Sequence, residues 1–155
     1  MTPSLSFVFR LIIGGIFLIS GLAKISDPVR FMLTLREFRL FPEIIIPFTA
    51  IYLPWLEFIL GLFILVGIMH RTASLILSCI IVSFTLAIAS VIIRGFEIDC
   101  GCFGMLADML QLPDMADYKA IIRNVIFVVI CFSIFRIKKT NFSLEGYIRK
   151  ENAGR

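Results

Sequence analysis

The chain has 155 residues, of which 59% are hydrophobic and 16 are phenylalanine, and its formal net charge is +4. Soluble domains are typically about 45–50% apolar, so a mean hydropathy of +1.00 excludes an ordinary soluble domain and predicts a single integral membrane domain. The basic residues sit at segment ends and in the tail rather than in a stripe interleaved with aromatics, which favours membrane topology over nucleic-acid binding.

Four apolar segments, 6–24, 44–68, 72–93 and 120–137, each approach the roughly 20 residues needed to cross a hydrocarbon core about 30 Å thick. The predicted fold is an all-α integral membrane protein. A four-transmembrane-helix bundle over 1–140, with short interfacial helices in the extracytoplasmic loops, precedes a basic cytoplasmic tail at 141–155. The first segment has a basic flank at Arg10 but no small-x-small cleavage site after it, so it reads as an uncleaved helix. Its Gly14, Gly15, Ser20 and Gly21 are small positions where a second helix can pack closely. In the loop that follows, Phe31, Leu35, Phe38 and Phe41 recur at helical spacing among Arg30, Arg36 and Arg39, which predicts a short interfacial helix. It serves either as a lid over the bundle's end or as a docking surface.

The second segment contains Pro54, which removes a backbone bond to the Ala50 carbonyl, and Glu57, a carboxylate at mid-membrane. Two compatible readings stand for Glu57: it handles protons or ligand, and it pairs with Lys24, Arg94 or Arg123. Trp55 and Tyr52 read as packing or interfacial anchors. Only Met69-His70-Arg71 joins the second and third segments, so these form an antiparallel hairpin, and His70 reads as a turn residue rather than a ligand. Met105, Leu106, Met109 and Leu110 form a second apolar stripe before the fourth segment. Flexible Met side chains there would suit a docking surface; a lid is the alternative.

Four spans place both termini and the Met69–Arg71 turn on one side. Lys and Arg divide almost evenly between the sides, but Arg136, Lys138 and Lys139 cluster beside the last span. The positive-inside rule weights such a cluster most. The expectation is therefore a bacterial inner-membrane protein with cytoplasmic termini and the 94–119 loop in the periplasm.

That loop carries Asp99-Cys100-Gly101-Cys102-Phe103-Gly104. Bridged cysteines prefer Cα separations of about 5.5–6 Å, near the limit for an i, i+2 pair, and Gly101 relieves part of the strain. Strained, exposed disulfides are the exchangeable ones, and so short a loop constrains little chain entropy. A reversible dithiol–disulfide centre is favoured over a structural bridge. Metal binding is disfavoured, because zinc sites need two cysteine pairs or a nearby His. Asp99 opposes thiolate formation, and Arg94 is the charge that could offset it. Cys79 and Cys131 lie at matching depths, roughly 10 Å in at 1.5 Å per residue. A second thiol pair relaying electrons is one reading; small hydrophobes in a packed core is the favoured one.

The run Phe17-Leu18-Ile19-Ser20-Gly21-Leu22-Ala23-Lys24-Ile25-Ser26-Asp27-Pro28 resembles the end of the first helix in DoxX-like membrane proteins, and Leu53-Pro54-Trp55-Leu56-Glu57 fits the same group. Arg94-Gly95 followed by the Asp99–Gly104 string resembles the methylamine-utilisation protein MauE branch, with order and spacing agreeing from about 6 to 137. The resemblance implies a four-helix inner-membrane protein that assists maturation of a disulfide-rich periplasmic subunit together with a thioredoxin-like partner. It carries over Cys100 and Cys102 as the redox pair, with Lys24, Asp27 and Glu57 as motif residues without an assigned task.

The leading functional expectation is a membrane thiol–disulfide oxidoreductase. Cys100 and Cys102 exchange with an extracytoplasmic thioredoxin-like protein, and a membrane quinone serves as electron acceptor. The quinone is inferred from the need for an electron sink, not from a residue. The alternatives are a non-catalytic assembly factor with a structural cysteine pair and, less favoured, a small-molecule transporter, for which no inverted repeat is visible.

Overall fold

The computed structural model describes residues 3–95 and 118–136. Among them five helices follow in order: α1 (Pro3–Ser26), α2 (Pro28–Glu37), α3 (Ile46–Val66), α4 (His70–Arg94) and α5 (Tyr118–Arg136). All but α2 are long and apolar enough to cross a membrane. Their outward faces carry exposed Phe7, Leu11, Ile51, Leu86 and Val129, the surface that a bilayer rather than water would cover.

The helix boundaries have local causes. The Asp27 side chain accepts a 3.0 Å bond from the Arg30 N–H, and Pro28 takes the first helical position of α2, where its missing N–H costs nothing. The Asp-Pro step of the sequence motif is thus a helix start. α3 stops at Gly67, whose left-handed φ of 80° suits a residue without Cβ. Met69, also left-handed at φ 48°, completes the reversal into α4. Gly95 (φ 71°) ends α4 in the same way.

The bundle consists of two close helix pairs, α1 with α3 and α4 with α5, which meet along a looser seam. In lipid no hydrophobic gradient drives helices together, so close pairing depends on small residues and polar bonds. The α1–α3 contact is backbone to backbone. A Cβ on Gly21 would lie 2.7 Å from the Phe58 nitrogen, and one on Gly61 would lie 2.8 Å from the Leu18 nitrogen. Gly14 faces Gly61 and Leu65, whereas Gly15, expected at the interface from composition, meets nothing within 4 Å. In the α4–α5 pair, the Asn124 amide donates to the Thr85 hydroxyl at 3.2 Å. Several hydroxyls along the spans bond back one turn, as Ser78 does to the Ser74 carbonyl and Ser133 to that of Val129, which satisfies them within their own helix; the buried Ser6 hydroxyl has no such bond.

α2 folds back over the bundle. Phe31 and Leu35 bury against Ile46 and Ala50 of α3, while Phe38 packs with Ile88, Val91 and Ala120. This is the lid of the two readings, with Phe41 left exposed at its edge. The second apolar stripe, Met105 to Leu110, lies outside the described residues.

Candidate functional site

Two cations on α1 are buried against α3. At one end Arg10, 2% exposed, donates from Nε to the Ile64 carbonyl at 2.8 Å and from Nη2 to that of Leu65 at 3.0 Å. Those carbonyls belong to the last turn of α3, which has no helical donor for them and carries the negative end of the helix dipole. Sequence reasoning treated Arg10 as a membrane flank. Instead it caps the neighbouring helix, and nothing in its local sequence distinguishes the two roles. Arg71 acts similarly on the other pair: its Nε donates to the Phe135 carbonyl at 3.1 Å.

At the other end of α1, Lys24 Nζ donates to Glu57 Oε2 at 2.7 Å, with both side chains almost wholly buried. Of the three cations proposed as partners for Glu57, Lys24 is bonded to it, and Arg123 lines the same cleft. The ammonium also stands 5.1 Å from the centre of the Phe31 ring and 5.5 Å from that of Phe84, within cation–π range. Phe31 comes from the lid, so Asp27 reaches the site indirectly: by starting α2 it fixes the ring over Lys24.

The pair opens into a cleft on the seam between the helix pairs. Ser20, Lys24, Glu57, Arg123 and Asn124 form its polar part, and Phe17, Ile80, Phe84 and Phe127 are among its apolar walls. Phe17 and Phe127 meet edge to face at 5.8 Å, joining α1 to α5 below it. Sequence reasoning singled out Glu57 and Lys24 and named Arg123 only as a partner for Glu57; it missed Ser20 as a polar wall and Asn124 altogether. An Asn inside an apolar span is the signal that could have found Asn124.

A cluster of Phe38, Val91 and Ala120 holds the C-terminal end of α4 and the N-terminal end of α5 against the lid. Arg94 is exposed at the last turn of α4. Cys100, Cys102 and Asp99 lie outside the described residues, in the 96–117 segment that leaves α4 and returns to α5 at this end. Cys131 is fully buried in the core among Ile13, Leu60, Leu77 and Ile134, and it shares a side-chain hydrogen bond with Ser78. Cys79 is exposed, and both are free thiols. Their surroundings differ, one a packed core and the other an outward face. His70 is buried at the first turn of α4, at the opposite end from the cleft. Among the described residues no group of three or more His, Cys, Asp and Glu side chains could hold a metal.

Compared with known proteins, residues 2–136 match the family described as methylamine utilisation protein MauE. The chain is 24% identical over 133 residues to the methylamine utilization protein MauE of Paracoccus denitrificans, covering 85% of this chain and 69% of that one. It is 28% identical over 153 residues to Protein TlpB of Flavobacterium psychrophilum, covering 93% of this chain but spanning only 40% of that relative. No solved structure matches.

Proposed function

The chain belongs to the methylamine utilisation protein MauE family of multi-pass membrane proteins, and from that premise we propose that it is a membrane thiol–disulfide oxidoreductase that matures an extracytoplasmic client. Cys100 and Cys102 form the exchanging pair. A thioredoxin-like protein on the periplasmic side of the inner membrane exchanges with them through a mixed disulfide, and both termini lie in the cytoplasm.

The observation that carries this reading is the bundle's asymmetry. The segment bearing both cysteines is anchored at its two ends to one membrane face, and the buried Lys24–Glu57 pair lies beneath the same face. A buried ion pair is costly to maintain in hydrocarbon and adds little net stability, so one placed beside open space is a candidate for function. Dithiol oxidation releases two electrons and two protons. A quinone, if bound, would supply the acceptor for both within the membrane, and Lys24 and Glu57 are buried groups beneath this face that would hold or pass a proton.

Single Cys100→Ser and Cys102→Ser variants test the exchange. Cells are quenched in acid, free thiols are alkylated, and proteins are separated without reductant. One of the two variants is expected to accumulate a mixed disulfide with a periplasmic protein. Wild-type client maturation in the double Ser variant would overturn the reading.

A further inference from the structure

Two open spaces lie along the loose seam of the bundle. The polar cleft beside Lys24 has only about 30 Å³ of water-sized space, and an apolar groove next to it, between the lid, α3 and α4, has about 200 Å³. Ile80 and Phe84 of α4 line both. Half-buried Phe84 is the partition, its ring centre 5.5 Å from Lys24 Nζ. The groove runs beneath Leu35 and Phe38 and reaches the bundle's outer surface beside exposed Phe41 and Ser83 and half-buried Thr49. A change of the Phe84 χ1 rotamer, which swings the ring aside, would join the two spaces.

The chemistry of the joined space narrows its occupant. Its donors are the Lys24 ammonium, the Arg123 guanidinium, the Asn124 amide and the Ser20 hydroxyl, set against one carboxylate already bonded to Lys24. A ligand that fits supplies acceptor oxygens. The approach is apolar and open toward lipid, so a sugar or free amino acid would be stripped of water without replacement bonds. Phe17, Phe84 and Phe127 offer flat ring faces. Acceptor carbonyls on a flat ring attached to an apolar tail satisfy all three conditions.

We propose that this joined cleft binds the head group of an isoprenoid quinone, its carbonyl oxygens toward Lys24 and Arg123 and its tail along the groove under α2. The proposal rests on the thiol–disulfide reading, to which it gives a site. In the oxidising direction the S–S bond between Cys100 and Cys102 forms, their two electrons pass to the quinone, and the two thiol protons end on its oxygens to give the quinol. Arg123 and Asn124 lie five and six residues after the start of α5, roughly 7–9 Å along the helix from the end where the cysteine segment returns.

The test uses the full chain in nanodiscs of phosphatidylethanolamine and phosphatidylglycerol. An azido-substituted benzoquinone carrying one isoprenoid unit is the photoprobe. Binding is read on the Cys100→Ser/Cys102→Ser variant, so that it does not depend on redox chemistry. Label is expected on the 80–84 and 123–127 stretches, falling at least tenfold with excess unlabelled quinone and with Ile80→Trp, which fills both spaces. Leu86→Trp, on the exposed face of α4, should leave it unchanged. Label scattered over outward-facing positions and indifferent to Ile80→Trp overturns the site, as does label displaced better by oleate than by quinone. A second measurement counts thiols lost by the reduced wild-type chain per quinol formed, with two expected. Label in the cleft without thiol loss overturns the exchange reading but leaves the site standing. Thiol loss that Ile80→Trp does not slow overturns the site but leaves the exchange.

Discussion

Arg10 and Lys24 stand 14 residues apart on the same helix, both buried against α3, yet they are held in opposite ways. Arg10 meets neutral carbonyls at the end of a helix, where its fork of donors satisfies groups that would otherwise lack partners. Lys24 meets a carboxylate in mid-span, at the edge of a cleft. The first arrangement completes the backbone at a helix end. The second holds two titratable groups in contact beside open space. A buried cation in a membrane bundle is therefore not in itself a functional sign; its partner and its neighbouring space decide.

Both cations depend on the closeness of α1 to α3, so the largest effect should come from prising these helices apart. Gly61→Leu puts side-chain atoms where the α1 backbone lies. Overpacking commonly costs about 1–3 kcal/mol, and here the obstacle is backbone that cannot rotate away. Loss of a monodisperse peak in detergent chromatography is the expected result, while Gly15→Leu, facing open space, should remain folded.

Next in size is the ion pair. Glu57→Gln strands the Lys24 ammonium and should lower the thermal midpoint by the equivalent of about 3–5 kcal/mol. The double variant Lys24→Met/Glu57→Leu should recover most of that stability, because an apolar pair of similar volume needs no desolvation. It should not recover thiol oxidation. Recovery of both would reduce Lys24 and Glu57 to the same standing as Arg10.

Arg10→Met should cost about 1.5–3 kcal/mol through charged hydrogen bonds lost while leaving the oxidation of Cys100 and Cys102 unaltered in the folded fraction. Arg10→Lys should recover part of the stability, since one ammonium cannot reproduce the two-pronged contact. The smallest structural effect is expected from Asp27→Ala, about 1 kcal/mol for a lost N-cap. Its sharper readout is local: hydrogen exchange should rise across α2, because the cap fixes the lid that carries Phe31 over Lys24.

The spans were legible because hydropathy marks them, but their ends only to within a few residues: Gly67, which stops the second span, fell inside the apolar run 44–68. Helix pairing was not. Gly14, Gly15 and Gly21 are equivalent in composition, and only the three-dimensional course of α3 separates the two that touch it from the one that does not. Glu57 was conspicuous as a carboxylate in an apolar span, and Lys24 was among its expected partners. Of the remaining polar wall, Asn124 was marked by its place in an apolar span, whereas Ser20 joins the wall only once the two helix pairs are set side by side. Asp27 was recognisable as part of a motif, but its task, starting the lid, became clear only from the cap geometry.

The most direct measurement is the acid-trapped oxidation state of Cys100 and Cys102 in cells, compared between the wild-type chain and Lys24→Met/Glu57→Leu at matched levels of folded protein. If the cleft serves the cysteines, the pair shifts from disulfide toward thiol in the double variant. An unchanged distribution would contradict that link and leave the buried ion pair as scaffold alone.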